Sequence, residues 1–168
     1  MGLMKTAAVK GIIPAGNKVS ELRSNLGRLM TETAVVMEER FGKDGLDAVA
    51  EVFRRLGAED AIAMKETLGL GNTLKDALDA WIVIGHVMGA KMKPRWISDN
   101  RVETDHPYCP QHEGFLKKGK LYCESVCWPY VSAVAEGIAP GVKMEVPKPA
   151  TMDATCTKAL VYGPAESE

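Results

Sequence analysis

Apolar residues follow two rhythms along this chain. From Asn17 onward, Val19, Leu22, Leu26, Leu29, Met30, Met37 and Phe41 recur mostly at steps of three and four. That spacing lines one face of an α-helix, and Asn17-Lys18-Val19-Ser20 suits its start. Gly42 and Gly45 then interrupt the pattern. Leu46, Val49, Val52, Phe53 and Leu56 predict a second amphipathic helix, with Gly57 as a natural stop. Residues 59–68 predict a shorter helix closed by Gly69 and Gly71. Thr73 and Asp76 stand in capping-box spacing and open a further helix. Its face is Leu74, Leu78, Trp81, Gly85 and Met88, and Gly89 ends it. The stretch Gly69-Leu70-Gly71-Asn72 lacks both the preceding strand and the third glycine of a phosphate-cradling loop, and is not read as one.

After Pro94 the rhythm changes. Residues 95–104 predict a strand, and Pro129 fits the first turn of a helix running through Val131, Val134 and Ala135 to Gly137. Residues 142–147 alternate like an edge strand closed by Pro147, and residues 155–162 predict a last strand. The tail Gly-Pro-Ala-Glu-Ser-Glu reads as frayed. The expected class is α+β, with a helical N-terminal half packed on a small mixed or antiparallel sheet and a C-terminal helix. The expected organisation is an arm over 1–16, a helical segment over 17–93, and a ligand- or metal-binding α/β segment of the same domain over 94–163.

Composition narrows the function classes. The chain has 168 residues, 46% of them hydrophobic and 26% charged, which is a globular balance for one domain. Net charge is −1, so no strongly basic face is expected and nucleic acid is not the expected partner. Lys117, Lys118 and Lys120 read as a solvated turn. No apolar run has the length of a membrane span and no secretory leader is evident, so a cytoplasmic protein with reduced thiols is expected. Nine methionines suit an adaptable core, and the apolar helical faces suit pairing with a second copy as a homodimer.

Chemistry concentrates in residues 106–127, which hold three of the four cysteines and two of the three histidines. Cys109 and His112 are spaced C-x2-H, and Cys123 and Cys127 are spaced C-x3-C. Thiolate and imidazole favour tetrahedral zinc, so these four residues form one candidate metal set, with His106 and Cys156 as spare ligands. Iron or an iron–sulfur cluster is the alternative, although the spacing does not follow the familiar runs. A second reading makes Cys127 a nucleophile, because it directly precedes an expected helix start that supports a thiolate. His106 or His112 would then handle the proton, and Glu124 or Glu113 would orient the histidine or act as an acid. Trp81, Trp96, Trp128 and methionines would line a pocket, with His86 at its flank. A third reading treats the cysteines as small buried core residues.

Several of these elements together resemble the L-2-amino-thiazoline-4-carboxylic acid hydrolase-like family, and in outline the related 4-vinyl reductase domains. They are Cys109 before a proline, the Cys123/Cys127 pair, Glu136-Gly137-Ile138-Ala139-Pro140-Gly141, a strand over 142–147, and Thr151-Met152-Asp153-Ala154-Thr155-Cys156 leading into the last strand. The likeness covers about residues 75–162. It implies a small α+β protein with a ligand pocket, a hydrolase that opens a thiazoline ring, and family cysteine positions at Cys109, Cys127 and Cys156. The chain departs from the pattern where Trp128, Pro129 and Tyr130 replace an acidic residue. Lys158 and Ala159 stand where a last-strand arginine is usual, and Asp153-Ala154-Thr155 replaces a glycine. Two functions follow as expectations: a hydrolase acting on a C–N or C–S bond through the cysteine-rich site, or a metal- or cofactor-binding sensor domain without catalysis.

Overall fold

The computed structural model describes Val9 and residues 11–163. Most of the expected arm, residues 1–8 and 10, and residues 164–168 of the tail lie outside the described residues. Residues 12–14 are non-helical, and helix α1 then runs Ala15–Leu68. Three helices were expected over this span; two form, merged across a kink at Gly42, where the expected interruption lies. Gly42 breaks its regularity at φ 60°, ψ −135°, a left-handed position that glycine adopts without a Cβ clash.

Gly57 does not stop the helix; it lets a second helix approach. α4, spanning Cys127–Ile138, crosses α1 so closely here that a Cβ on Gly57 would lie 2.4 Å from the Tyr130 carbonyl oxygen. One turn on, a Cβ on Gly137 would lie 2.6 Å from the Cβ of Ala61. Small residues thus set the spacing of the two helices, which a reading of Gly57 as punctuation misses.

α2 spans Leu74–Met88 and has the expected boundaries. The Thr73 hydroxyl accepts from the Asp76 N–H at 3.1 Å, the Asp76 carboxylate accepts from the Thr73 N–H at 3.0 Å, and Gly89 closes the helix at φ 81°. These bonds satisfy N–H groups that the first turn leaves unpaired.

The single strand expected over 95–104 is instead a hairpin, β1 Lys91–Ser98 and β2 Arg101–Tyr108. The turn lies at Asp99-Asn100, side chains that favour tight reversals. α3, Pro110–Leu116, is a short helix inside the cysteine-rich segment, where a loop was expected; Pro110 sits in its first turn. β3, Val142–Lys148, and β4, Thr157–Tyr162, complete an antiparallel sheet of order β1-β2-β4-β3. β3 is an edge strand as expected, with Pro147 in the register break between Glu145 and Lys148.

The fold class is α+β. Leu74, Leu78 and Trp81 of α2, Val134 and Ile138 of α4, and Val102 and Leu160 of the sheet form the main core. Phe115, Tyr122 and Val126 join Ala34 and Val49 of α1 in a second cluster. Lys117, Lys118 and Lys120 lie in an exposed turn as expected, and Lys118 and Lys120 also pair with Glu32 and Glu38 of α1. Among the described residues no helix is long and apolar enough to cross a membrane.

The outer side of α1 carries a seam of its own. Val19, Leu22, Leu26, Leu29 and Val36 are 44, 67, 44, 65 and 42% exposed. Together with Thr33 they follow alternating three- and four-residue steps, the spacing of a helix–helix seam.

Candidate functional site

Alternation along the two central strands builds one wall of the site. Val102, Thr104 and His106 of β2 point inward, as do Lys158 and Leu160 of β4. Thr104 stands opposite Lys158 in the register, and Val102 opposite Leu160. Lys158 is 4% exposed. Its Nζ approaches the Cys127 Sγ at 3.4 Å, with the sulfurs of Cys156 and Cys109 in the same neighbourhood. Burial opposes the ammonium, and these sulfurs outweigh burial, so Lys158 is held above its ordinary range.

His106 lies in β2, not in a loop. Its Nδ1 is 3.3 Å from the Cys156 carbonyl oxygen. A carbonyl only accepts, so Nδ1 carries the hydrogen and Nε2 is the basic nitrogen. Burial, reinforced by the charge of Lys158, lowers His106 to about 4, and the ring is neutral near pH 7.

The four cysteines occupy the same neighbourhood but differ in setting. Burial raises the Cys109 and Cys156 thiols, and it pushes Cys123 up to about 12. Cys127 begins α4 and touches the ammonium. The support expected for it from free helix N–H groups is absent. The N–H groups of Cys127 and Trp128 both donate to the Cys123 carbonyl, at 3.0 and 2.9 Å, and Pro129 has none. Charge support at Cys127 comes from the sheet instead, through Lys158.

Two spaces share these groups in their walls. A cavity of about 70 Å³ is lined by Trp81, His106, Cys109, Gln111, Cys127 and Lys158 among others. A cleft of about 450 Å³ between α1, α2 and α4 is lined mainly by apolar side chains such as Leu26, Phe53, Met64 and Val87. Ile84, Met88, Gln111, Cys127 and Val131 line both. Cys127 therefore lines both the cleft and the cavity, whose wall is mostly apolar apart from His106, Gln111 and Lys158. A larger depression of about 610 Å³ between α1 and α3 is lined by Arg23, Arg28, Glu32 and Lys118. Arg23, Glu32 and Lys118 there already have partners, since Arg23 donates to the Val87 and His86 carbonyls and Lys118 pairs with Glu32.

The expected site residues are thus divided. Cys127, His106, Cys109 and Trp81 come together. Trp81 is buried and donates its indole N–H to the Val131 carbonyl at 2.8 Å. Glu124 is exposed and lies with Trp128 and Arg54 around a separate shallow depression, so neither Glu124 nor Trp128 lines the Cys127 cavity. Glu113 accepts from the Tyr108 hydroxyl at 3.0 Å, His86 is exposed, and Trp96 is 48% exposed.

The proposed metal set is not assembled. Among the described residues no group of three or more His, Cys, Asp or Glu side chains is arranged to hold a metal ion. His112 Nε2 instead bonds the Thr151 carbonyl oxygen at 2.7 Å, and Cys123 packs beside the second core cluster.

Lys158 and Gln111 were missed as site residues, although period-two alternation puts Lys158 on the same face as Cys156 and Leu160. That is a signal for an inward lysine. On the family pattern Lys158 counts as a departure, yet it is the central charge of the site.

No protein-family model matches the chain, and no curated protein matches it. A solved chain from work titled "Probing the function of heme distortion in the H-NOX family" superposes with a TM-score of 0.46 at 11% identity, covering 89% of this chain and 93% of that one. A likeness this distant carries no functional argument.

Proposed function

We propose that the protein binds a small molecule in the cleft between α1, α2 and α4 and opens a C–N or C–S bond in it through the Cys127 sulfur. The resemblance to the L-2-amino-thiazoline-4-carboxylic acid hydrolase-like family points the same way. The observation that carries this reading is the 3.4 Å contact between Cys127 Sγ and Lys158 Nζ at the inner end of an apolar cleft. The thiolate is the nucleophilic form of cysteine, and the ammonium is placed to act as its counter-ion in the reaction.

In the reaction the thiolate adds to the carbon of a C=N group, and the C=N electron pair moves to nitrogen. That nitrogen takes a proton from the Lys158 ammonium. Collapse expels the ring sulfur or nitrogen, and water then releases the product from Cys127. The water's proton returns to the Lys158 amine. The neutral His106 ring shares the cavity, where its Nε2 can accept a hydrogen bond from that water.

Iodoacetamide labelling followed thiol by thiol tests this reading. Cys127 is expected to label first, because it lines the cleft while burial raises the other three thiols. Cys127→Ser should remove both the fast label and ring opening of 2-aminothiazoline-4-carboxylate. Full ring-opening activity after alkylation of all four thiols would overturn the reading. The apolar lining of the 450 Å³ cleft favours a second reading, ligand binding without turnover. A wild-type protein that binds cleft ligands but never opens the ring would select it.

The exposed α1 seam supports a homodimer in this proposal. Its a/d spacing suits another helix, and pairing with a second copy would cover Leu22 and Leu29. Light scattering should give a dimer mass, and a Leu22→Glu/Leu29→Glu variant should be monomeric. A wild-type monomer at tens of micromolar would refute it.

A further inference from the structure

We infer that the cleft and the cavity behind it take an amphipathic carboxylate, with the acid group on Lys158 and the apolar body between α1, α2 and α4. This deepens the proposed function and rests on its assignment of the ligand cleft, but it does not require Cys127 to attack anything.

Three observations support it. The first is an incompletely partnered buried cation. An ammonium carries three donors, and Lys158, 4% exposed, has one hydrogen-bond contact among the described residues, the Cys127 sulfur at 3.4 Å. Two of its three donors are left without a partner, and buried donors are costly to leave unpaired, so the site favours an incoming acceptor.

The second observation is an orphan beside it. The Thr104 hydroxyl is fully buried with no hydrogen-bond partner, and Thr104 is the register neighbour of Lys158 on the same sheet face. Thr104 itself does not line the cavity, so it is the open donors of the ammonium that match an acceptor-only group such as a carboxylate.

The third is size. The inner cavity of about 70 Å³ has room for roughly two waters, a carboxylate's worth of space and too little for a long body. The apolar cleft that shares five lining residues with it is about 450 Å³. Lys158 and Gln111 offer donors at the inner cavity and the larger cleft offers apolar walls, which fits a polar head inside and an apolar body outside. A cationic head is disfavoured by Lys158, and a neutral head leaves the charge unmatched.

Calorimetric titration of the full chain with decanoate, decanol and decylamine tests the inference. Decanoate should bind on the order of tenfold tighter than decanol, and decylamine weakest. In Lys158→Met the preference for the acid should vanish while decanol binding persists, which also reports that the variant is folded. Equal binding of decanoate and decanol by the wild type would overturn the role of Lys158 and leave the cleft as a ligand site. Binding of none of the three would overturn the apolar-ligand assignment altogether. A Lys158→Met protein that binds nothing is set aside for the wild-type comparison, which decides alone. Ring-opening activity is read separately and does not bear on these outcomes.

Discussion

Replacing Gly57 with leucine is expected to destabilise the protein by about 3 kcal/mol or more, among the largest effects of any single substitution in it. The cause is contact between backbones. A Cβ at Gly57 would lie 2.4 Å from the Tyr130 oxygen and 3.1 Å from the Cβ of Ala133, so the first atom of any side chain meets α4 itself. A flexible side chain could rotate away, but a helix carbonyl cannot. Separating α1 from α4 would also disturb the packing of Ala61 against Gly137 and shift Cys127 at the start of α4. Gly27 is the control on the same helix. A Cβ there would meet only the Gln111 Oε1 at 3.7 Å, an ordinary contact. Gly27→Ala should therefore stabilise by about 0.5–1 kcal/mol through helix propensity. Urea unfolding of both variants measures the contrast. An unchanged midpoint for Gly57→Leu would mean the two helices are not packed as described.

Acidification from pH 6.5 to pH 4 should remove about 3 kcal/mol of stability through His106 alone. The ring is buried and lowered to about 4, against 6.5 in an exposed chain. Between those values the unfolded chain binds a proton that the folded chain refuses. Stability therefore rises with pH across this window, is complete above 6.5, and is lost as pH falls towards 4. The groups acting on the ring are Lys158, which opposes its protonation, and Asp105 with the Cys156 and Thr104 backbone, which favour it more weakly than burial opposes it. Carboxylates add their own slope, so the comparison is between wild type and His106→Asn. The variant should lose the share of the slope that lies between pH 6.5 and 4. Identical slopes would show that the ring is not buried neutral, and would remove the basic Nε2 from the cavity.

The helical start, the capped helix α2, the α4 core face and the edge strand β3 were legible because each depends on residues close in sequence. Periodicity selects the buried face of Leu74–Met88, and the reciprocal Thr73–Asp76 bonds are made within four residues. Of the cysteine-rich segment, Cys109 and Cys127 share one cavity. The hairpin was missed because residues 95–104 read as one strand when the Asp99-Asn100 turn is ignored. Gly57 was misread because a glycine that ends a helix and a glycine that admits another helix look the same without the partner.

The sequence by itself determined the α+β class, the amphipathic faces and the supply of soft, nucleophilic side chains, because local propensity and periodicity act over a few residues. The tertiary structure alone decided which of those side chains meet. It set Lys158 of the last strand against Cys127, 31 residues earlier. It turned His112 away to the Thr151 carbonyl and put Glu124 on another surface. Strand register and the close crossing of α1 and α4 make those choices, and both depend on burial of surfaces far apart in the chain, which no spacing of residues along it records.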